Sequence, residues 1–155
     1  HLQQQEFKKA IGKLEDSIKV DSHFTTAYVN LADIYRQTQA LDKEKGVYAL
    51  GLQNNPTSAE IHYAYGMYLI RSGDKTSSLD AFKKAVKFDS QNSQYAYLYF
   101  LALDATNQTT KALNELKRVI HQYAQNGELI NLGLSFSQKL RDRKSYDFFI
   151  RLSQQ

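Results

Sequence analysis

Apolar side chains along this chain fall at helical spacing, and one stripe returns at regular intervals. Tyr28, Leu31, Ala32 and Tyr35 stand at i, i+3, i+4 and i+7, one face of an α-helix, and Tyr48, Gly51 and Pro56 follow. A step of 34 residues carries this set onto His62, Tyr65, Gly66, Leu69, Phe82, Ala85 and Ser90. A second such step reaches Ala96, Tyr99, Phe100, Leu103, Leu116, Val119 and Ala124, with the aromatic, small and aliphatic classes partly kept. The pattern then resumes after 33 residues with Leu129, Leu132, Gly133, Phe136, Phe149 and Leu152, which predicts that one residue is dropped before the last copy. Upstream, Ala10, Leu14, Ser17 and Ser22 fit only the second half of the pattern.

Each half of a copy has helical period, and turn chemistry separates the halves at Ser72-Gly73-Asp74 and Thr106-Asn107-Gln108. The elements predicted are therefore helix hairpins. The chain divides into a partial repeat (1–24), three repeats (25–58, 59–92 and 93–125) and a last repeat or cap (126–155), forming a single domain. Small residues at Ala32, Gly51, Gly66, Ala85 and Gly133 let paired helices approach, while Tyr35, Phe82 and Phe136 fill the space between them. A glycine inside a helix costs about 1 kcal/mol relative to alanine, so its repeated use implies a packing reason. Pro56, the single proline, falls just past a second helix, where it cannot continue that helix and can open the next.

Tyr28-x2-Leu31-Ala32-x2-Tyr35 and His62-x2-Tyr65-Gly66-x2-Leu69, the latter followed by Ser78-x3-Phe82 and Ala85, resemble the tetratricopeptide repeat, W-x2-L-G-x2-Y then A-x3-F then P. The resemblance covers almost the whole chain. It departs from the family in having no tryptophan, in Glu44 where alanine is preferred, and in Leu140-Arg141 at the last turn. It implies an all-α, right-handed α-α superhelix of about four hairpins preceded by a half-repeat, with a concave face formed by the first helix of each pair. On that face the resemblance places Asn30, Asp33 and Arg36 in the first full repeat, with Thr26, Val29 and Gln37. Tyr63, Met67 and Arg71 follow in the second, with Glu60, Ala64 and Ile70; Tyr97 and Leu101 in the third, with Gln94, Leu98 and Asp104; and Asn131 and Leu134 in the last, with Ile130 and Gln138.

A non-enzymatic scaffold is expected, taking a protein or peptide partner in an apolar, tyrosine-rich groove. The alternative is that the same residues pack against flanking repeats. A clamp for a peptide C-terminal carboxylate, as in co-chaperones of the family, is disfavoured: Asn30 matches it, but Tyr63, Ala64, Gln94 and Leu98 stand where basic or amide groups are wanted. Phe7, Ile11, Leu14 and Ile18, lacking the first helix of their hairpin, suggest self-association through an open N-terminal end.

Asn30-Leu-Ala-Asp-Ile-Tyr-Arg36, His62-Tyr-Ala-Tyr-Gly-Met-Tyr-Leu-Ile-Arg71 and Gln94-Tyr-Ala-Tyr-Leu-Tyr-Phe-Leu-Ala-Leu103 further resemble the repeat tail of bacterial multihaem cytochrome c proteins. That narrower resemblance implies a docking domain of a periplasmic electron-transfer protein; otherwise a cytoplasmic location is expected. The start at His1, with no initiator methionine, reads as a piece of something longer.

Composition narrows the chemistry. Among 155 residues there is no cysteine, so these residues hold no disulfide, thiolate metal site or C-x-x-C-H haem attachment. The four histidines, His1, His23, His62 and His121, show no metal spacing; His62 falls in the packing stripe and His23 in a turn. No phosphate loop or G-x-S-x-G elbow occurs, and no cofactor is expected. The longest apolar run, Tyr95 to Leu103, is far short of the roughly 20 residues a membrane span needs, and reads mostly as core. Net charge is +4, and the excess lies in residues 109–155, which carry 8 basic and 4 acidic side chains. Lys139, Arg141, Arg143, Lys144 and Arg151 read as a solvated cap rather than a nucleic-acid surface, because Tyr146, Phe148 and Phe149 follow packing phase.

Overall fold

The computed structural model describes residues 2–123 and 126–155; Ala124, assigned above to the third copy, lies outside the described residues. A helix α1 (Leu2–Val20) leads into hairpins α2 (Thr25–Gln37) with α3 (Leu41–Asn54), and α4 (Ala59–Arg71) with α5 (Lys75–Phe88). Two further hairpins follow, α6 (Ser93–Ala105) with α7 (Thr109–Val119), and α8 (Gly127–Lys139) with α9 (Arg143–Ser153). A short 3-10 turn, Ile120–Gln122, extends α7. Successive helices pack on one another both within and between hairpins, giving the layered order of a solenoid.

Helix boundaries follow the local sequence. The hairpin turns pass through Gln39, Gly73, Asn107 and Arg141, all with positive φ and each 34 residues after the last. At Gly73 this is free of steric cost, whereas Gln39 and Arg141 adopt it against their preference. Ser58, Asn92 and Asn126 cap the first helices of successive hairpins, each accepting a hydrogen bond from the backbone N–H three residues on. Asp74 and Asp142 do the same for α5 and α9.

These caps and turns correct the expectation of a dropped residue. From α6 to α8 both helix ends and the left-handed turn residue advance by 34, so the backbone frame is unbroken. What slips by one residue is the packing stripe inside the last hairpin, a rotation of about 100° about the helix axis. Gly133 faces Phe149 as Gly66 faces Phe82, and at either glycine a Cβ would run into the aromatic ring. Gly51 is similarly crowded by Tyr28 and Ile61.

The core has two parts. The larger joins Phe82, Tyr99, Phe100, Leu103, Leu113, Leu116, Leu129, Phe136 and Phe149, and the smaller joins Tyr28, Leu31, Ala32, Val47, Tyr48 and Ile61. Inter-repeat turns are tied down by the stripe itself: Tyr28 Oη donates to the Ser22 carbonyl at 2.9 Å, and His62 Nε2 meets the Pro56 carbonyl at 2.8 Å. His62 is buried as expected, stacked on Phe88, and its desolvation, only partly offset by that carbonyl, holds its pKa below the usual value. His23 lies in the first turn, hydrogen-bonded to Asn55. No residue of α1 is fully buried; Ile11, Leu14 and Ile18 lean on the smaller core with part of their surface open, and Phe7 is half-buried.

Candidate functional groove

The first helices of the hairpins line two stretches of one groove. In the first, α2 contributes Val29, Asn30, Asp33 and Arg36, and α4 contributes Glu60, Tyr63, Ala64, Met67 and Arg71. Tyr48 and Tyr95 complete a wall around about 610 Å³. In the second, Gln94, Tyr97 and Leu101 of α6 face Glu128, Asn131, Leu132 and Ser135 of α8 around about 660 Å³. Gln94 Nε2 lies 3.4 Å from Tyr63 Oη and so links the two stretches.

Nine of the ten expected residues therefore lie on this groove: Asn30, Asp33, Arg36, Tyr63, Met67 and Arg71 together, then Tyr97, Leu101 and Asn131. Leu134 does not. It is half-buried against the larger core, and Ile130 is buried there too. The physical reason is the slip described above. Groove positions follow the unbroken 34-residue frame, taking Gln94, Tyr97 and Leu101 to Glu128, Asn131 and Ser135, whereas a 33-residue step reaches the core-facing Leu134.

Charge in the first stretch is arranged in pairs. Arg36 sits on Asp33 of the same helix, and Gln37 Nε2 donates to the other Asp33 oxygen at 2.8 Å. Burial pushes the Asp33 carboxyl upward, but these hydrogen bonds and the charges of Arg36 and Arg71 outweigh it and hold the pKa below the ordinary value. Arg71 reaches across to Glu44 on α3 with two bonds, Nη2 to Oε2 at 2.7 Å and Nη1 to Oε1 at 3.3 Å. Glu44 is fully buried and also accepts the Tyr48 hydroxyl at 2.9 Å. Burial, with Glu44 as the hydroxyl's partner, raises the Tyr48 pKa.

Among the described residues Glu44 is the one fully buried carboxylate. Its sequence signal was visible as an acid at a position where the repeat pattern wants alanine. The partner was not visible, because Arg71 lies 27 residues away. Arg71 is thus committed to a structural pair rather than left free at the groove.

Aromatic rings make the rest of the wall. Tyr63 and Tyr95 lie 4.7 Å apart between centroids at 31°, and Tyr63 also leans on Phe82. Tyr95 belongs to the apolar run read as core, and only the structure shows it on the groove. Tyr97 and Leu101 are half-buried, while Met67 and Asn131 are exposed. Among the described residues no group of three or more His, Asp or Glu side chains is placed to hold a metal ion, and no helix is long and apolar enough to cross a membrane.

Hairpins in a superhelical stack, with a 34-residue frame and a groove on their first helices, give the chain the all-α solenoid fold of tetratricopeptide-repeat proteins. Residues 59–92 match the tetratricopeptide repeat family model. No curated protein matches the chain by sequence. Similar solved structures include YrrB, described as a TPR protein with an unusual peptide-binding site, at a TM-score of 0.71 and 15% identity over 96% of this chain and 77% of that one. PilF of Pseudomonas aeruginosa superimposes with a TM-score of 0.74 at 14% identity, covering 98% of this chain and 69% of its own. PilW, described as a widely conserved type IV pilus biogenesis factor, gives 0.68 at 22% identity, with 99% and 71% covered. What these proteins share with the chain at such identities is the fold.

Proposed function

We propose that the chain is a non-enzymatic protein-interaction scaffold whose groove holds an extended or helical peptide. The observation that carries this reading is the run of half-buried aromatic and aliphatic side chains, Tyr63, Tyr95, Tyr97 and Leu101, open to the groove and edged by Asn30, Gln94 and Asn131. Such a surface offers apolar contact area with phenol and amide groups at its margin, which suits a peptide backbone and its alternate side chains. The description of YrrB as a peptide-binding repeat protein is in keeping with it.

The test is direct. Peptides selected on the wild-type chain from a random library are measured by calorimetry against the Tyr63→Ala/Tyr97→Ala variant, with helicity checked by circular dichroism. Affinity falls at least about tenfold if both rings are anchors of the interface. Unchanged affinity in a folded variant overturns the groove reading.

A second reading concerns α1, whose apolar face lies only half-buried on its neighbours. We propose self-association through this end, checked by light scattering across a concentration series; a monomer at the highest concentration counts against it. The narrower resemblance to multihaem cytochromes gains no support from the family model or from the similar structures named above.

A further inference from the structure

We infer that the first stretch of the groove contains a subsite for a cationic side chain of the bound peptide, an arginine or lysine, formed by Glu60 with the Tyr63–Tyr95 ring pair. The inference rests on the groove reading and adds the chemistry of the ligand to it.

Charge complementarity carries the argument. Both arginines of this stretch already face carboxylates, Arg36 on Asp33 and Arg71 on the fully buried Glu44. Glu60 lines the same wall, and its Oε2 accepts only from the Thr25 and Thr26 hydroxyls at 3.2 and 3.5 Å. Among the described residues it has no ion-pair partner. With the pairs cancelled, this stretch keeps one negative charge in a protein whose net charge is +4.

The rings add a second attraction. Glu60 and Tyr63 stand at i and i+3 of α4, so they share a helix face, and Tyr95 of α6 closes the same wall against Tyr63. A guanidinium or ammonium entering here meets the Glu60 carboxylate and the tyrosine rings on one wall. Both the ion pair and the ring quadrupole favour it, and the half-buried setting screens them less than open solvent does. A carboxylate ligand gains nothing comparable, since neither arginine carries charge free of a partner.

The experiment titrates N-acetyl-arginine amide and its uncharged isostere, N-acetyl-citrulline amide, into the folded chain while the ring signals of Tyr63 and Tyr95 are followed by NMR. The expected result is that the arginine probe moves both rings and binds about fivefold more tightly than citrulline, a preference lost in the isosteric Glu60→Gln variant and weakened by salt. Equal response to the two probes, or a preference that survives Glu60→Gln, overturns the subsite. The two readings fail separately: library peptides that lose affinity in Tyr63→Ala/Tyr97→Ala but show no dependence on Glu60 leave the groove standing and remove only the cation subsite.

Discussion

In the later hairpins Asn92, Asn126 and Asp142 close the first turns of α6, α8 and α9, with α7 starting uncapped at Gln108, whereas both α2 and α3 begin, at Phe24 and Ala40, with no side-chain cap. The same frame is thus stabilised differently at its two ends. The C-terminal hairpins have polar ties of their own, Lys139 to Asp104 at 2.7 Å and Lys117 to Ser145 at 3.0 Å, but add to them local caps and the larger aromatic and aliphatic core around Phe100, Leu116 and Phe149. The N-terminal hairpin has a smaller core and is tied by long-range polar bonds: Arg71 to Glu44, Asn54 to the Tyr28 hydroxyl at 3.0 Å, and Asn55 to the Ser22 carbonyl at 2.9 Å. Caps act within a helix and persist when neighbours loosen. Ties between repeats hold only while the stack is intact, so α1–α3 are expected to open at lower free energy than α6–α8.

Several substitutions separate these two ends. The largest effect is expected for Phe149→Ala, which empties the space against Gly133 in the C-terminal core and costs about 4 kcal/mol. Native-state hydrogen exchange then shows the protection advantage of α8 and α9 over α2 and α3 erased; an unchanged advantage breaks the comparison. Next is Arg71→Met, which leaves the buried Glu44 carboxylate with the Tyr48 hydroxyl alone and costs about 3 kcal/mol, read from urea denaturation. Its loss of protection is expected in α3 and α4, with α8 little changed.

Capping gives a smaller, two-way test. Ala40→Asp places in the first hairpin the residue that caps α5 at Asp74, one repeat later, and is expected to add up to about 1 kcal/mol. Asn126→Ala removes a similar amount from the C-terminal end. Together they narrow the difference between the ends from both sides. Thermal unfolding of the pair checks this.

The smallest effect is acid sensitivity of the caps. The hydroxyl and backbone N–H of Ser145 hold the Asp142 carboxyl below its ordinary pKa, and the backbone N–H of Ser77 does the same for Asp74. A carboxyl with a depressed folded pKa adds stability above its unfolded value, near 3.9, and loses it as pH falls through the lower folded value. Asp142→Asn, which keeps a cap without the titrating group, is expected to flatten that part of the acid limb; a limb of unchanged shape counts against the assignment.

Much of this was legible in the sequence for a physical reason. Helical period, turn residues and small-large complementarity are local signals repeated several times, so their agreement survives the degeneracy of any one copy. Nine of the ten residues that the family resemblance set on the concave face line the groove. Leu134 does not, because the packing stripe and the backbone frame part company in the last hairpin, and a sequence reader who follows the stripe loses the groove by one residue. The pairing of Glu44 with Arg71 was likewise hidden: an acid at an alanine position signals a departure, but which cation answers it depends on how α3 and α4 stack.

The sequence by itself determined the helices and their hairpin pairing, since these depend on spacing and turn chemistry within one repeat. Only the tertiary structure decided which charges are spent on partners, that Glu60 keeps its own, and that Tyr95 joins Tyr63 on the wall. Those outcomes depend on distances between side chains from different repeats, and such distances are fixed by packing rather than by period.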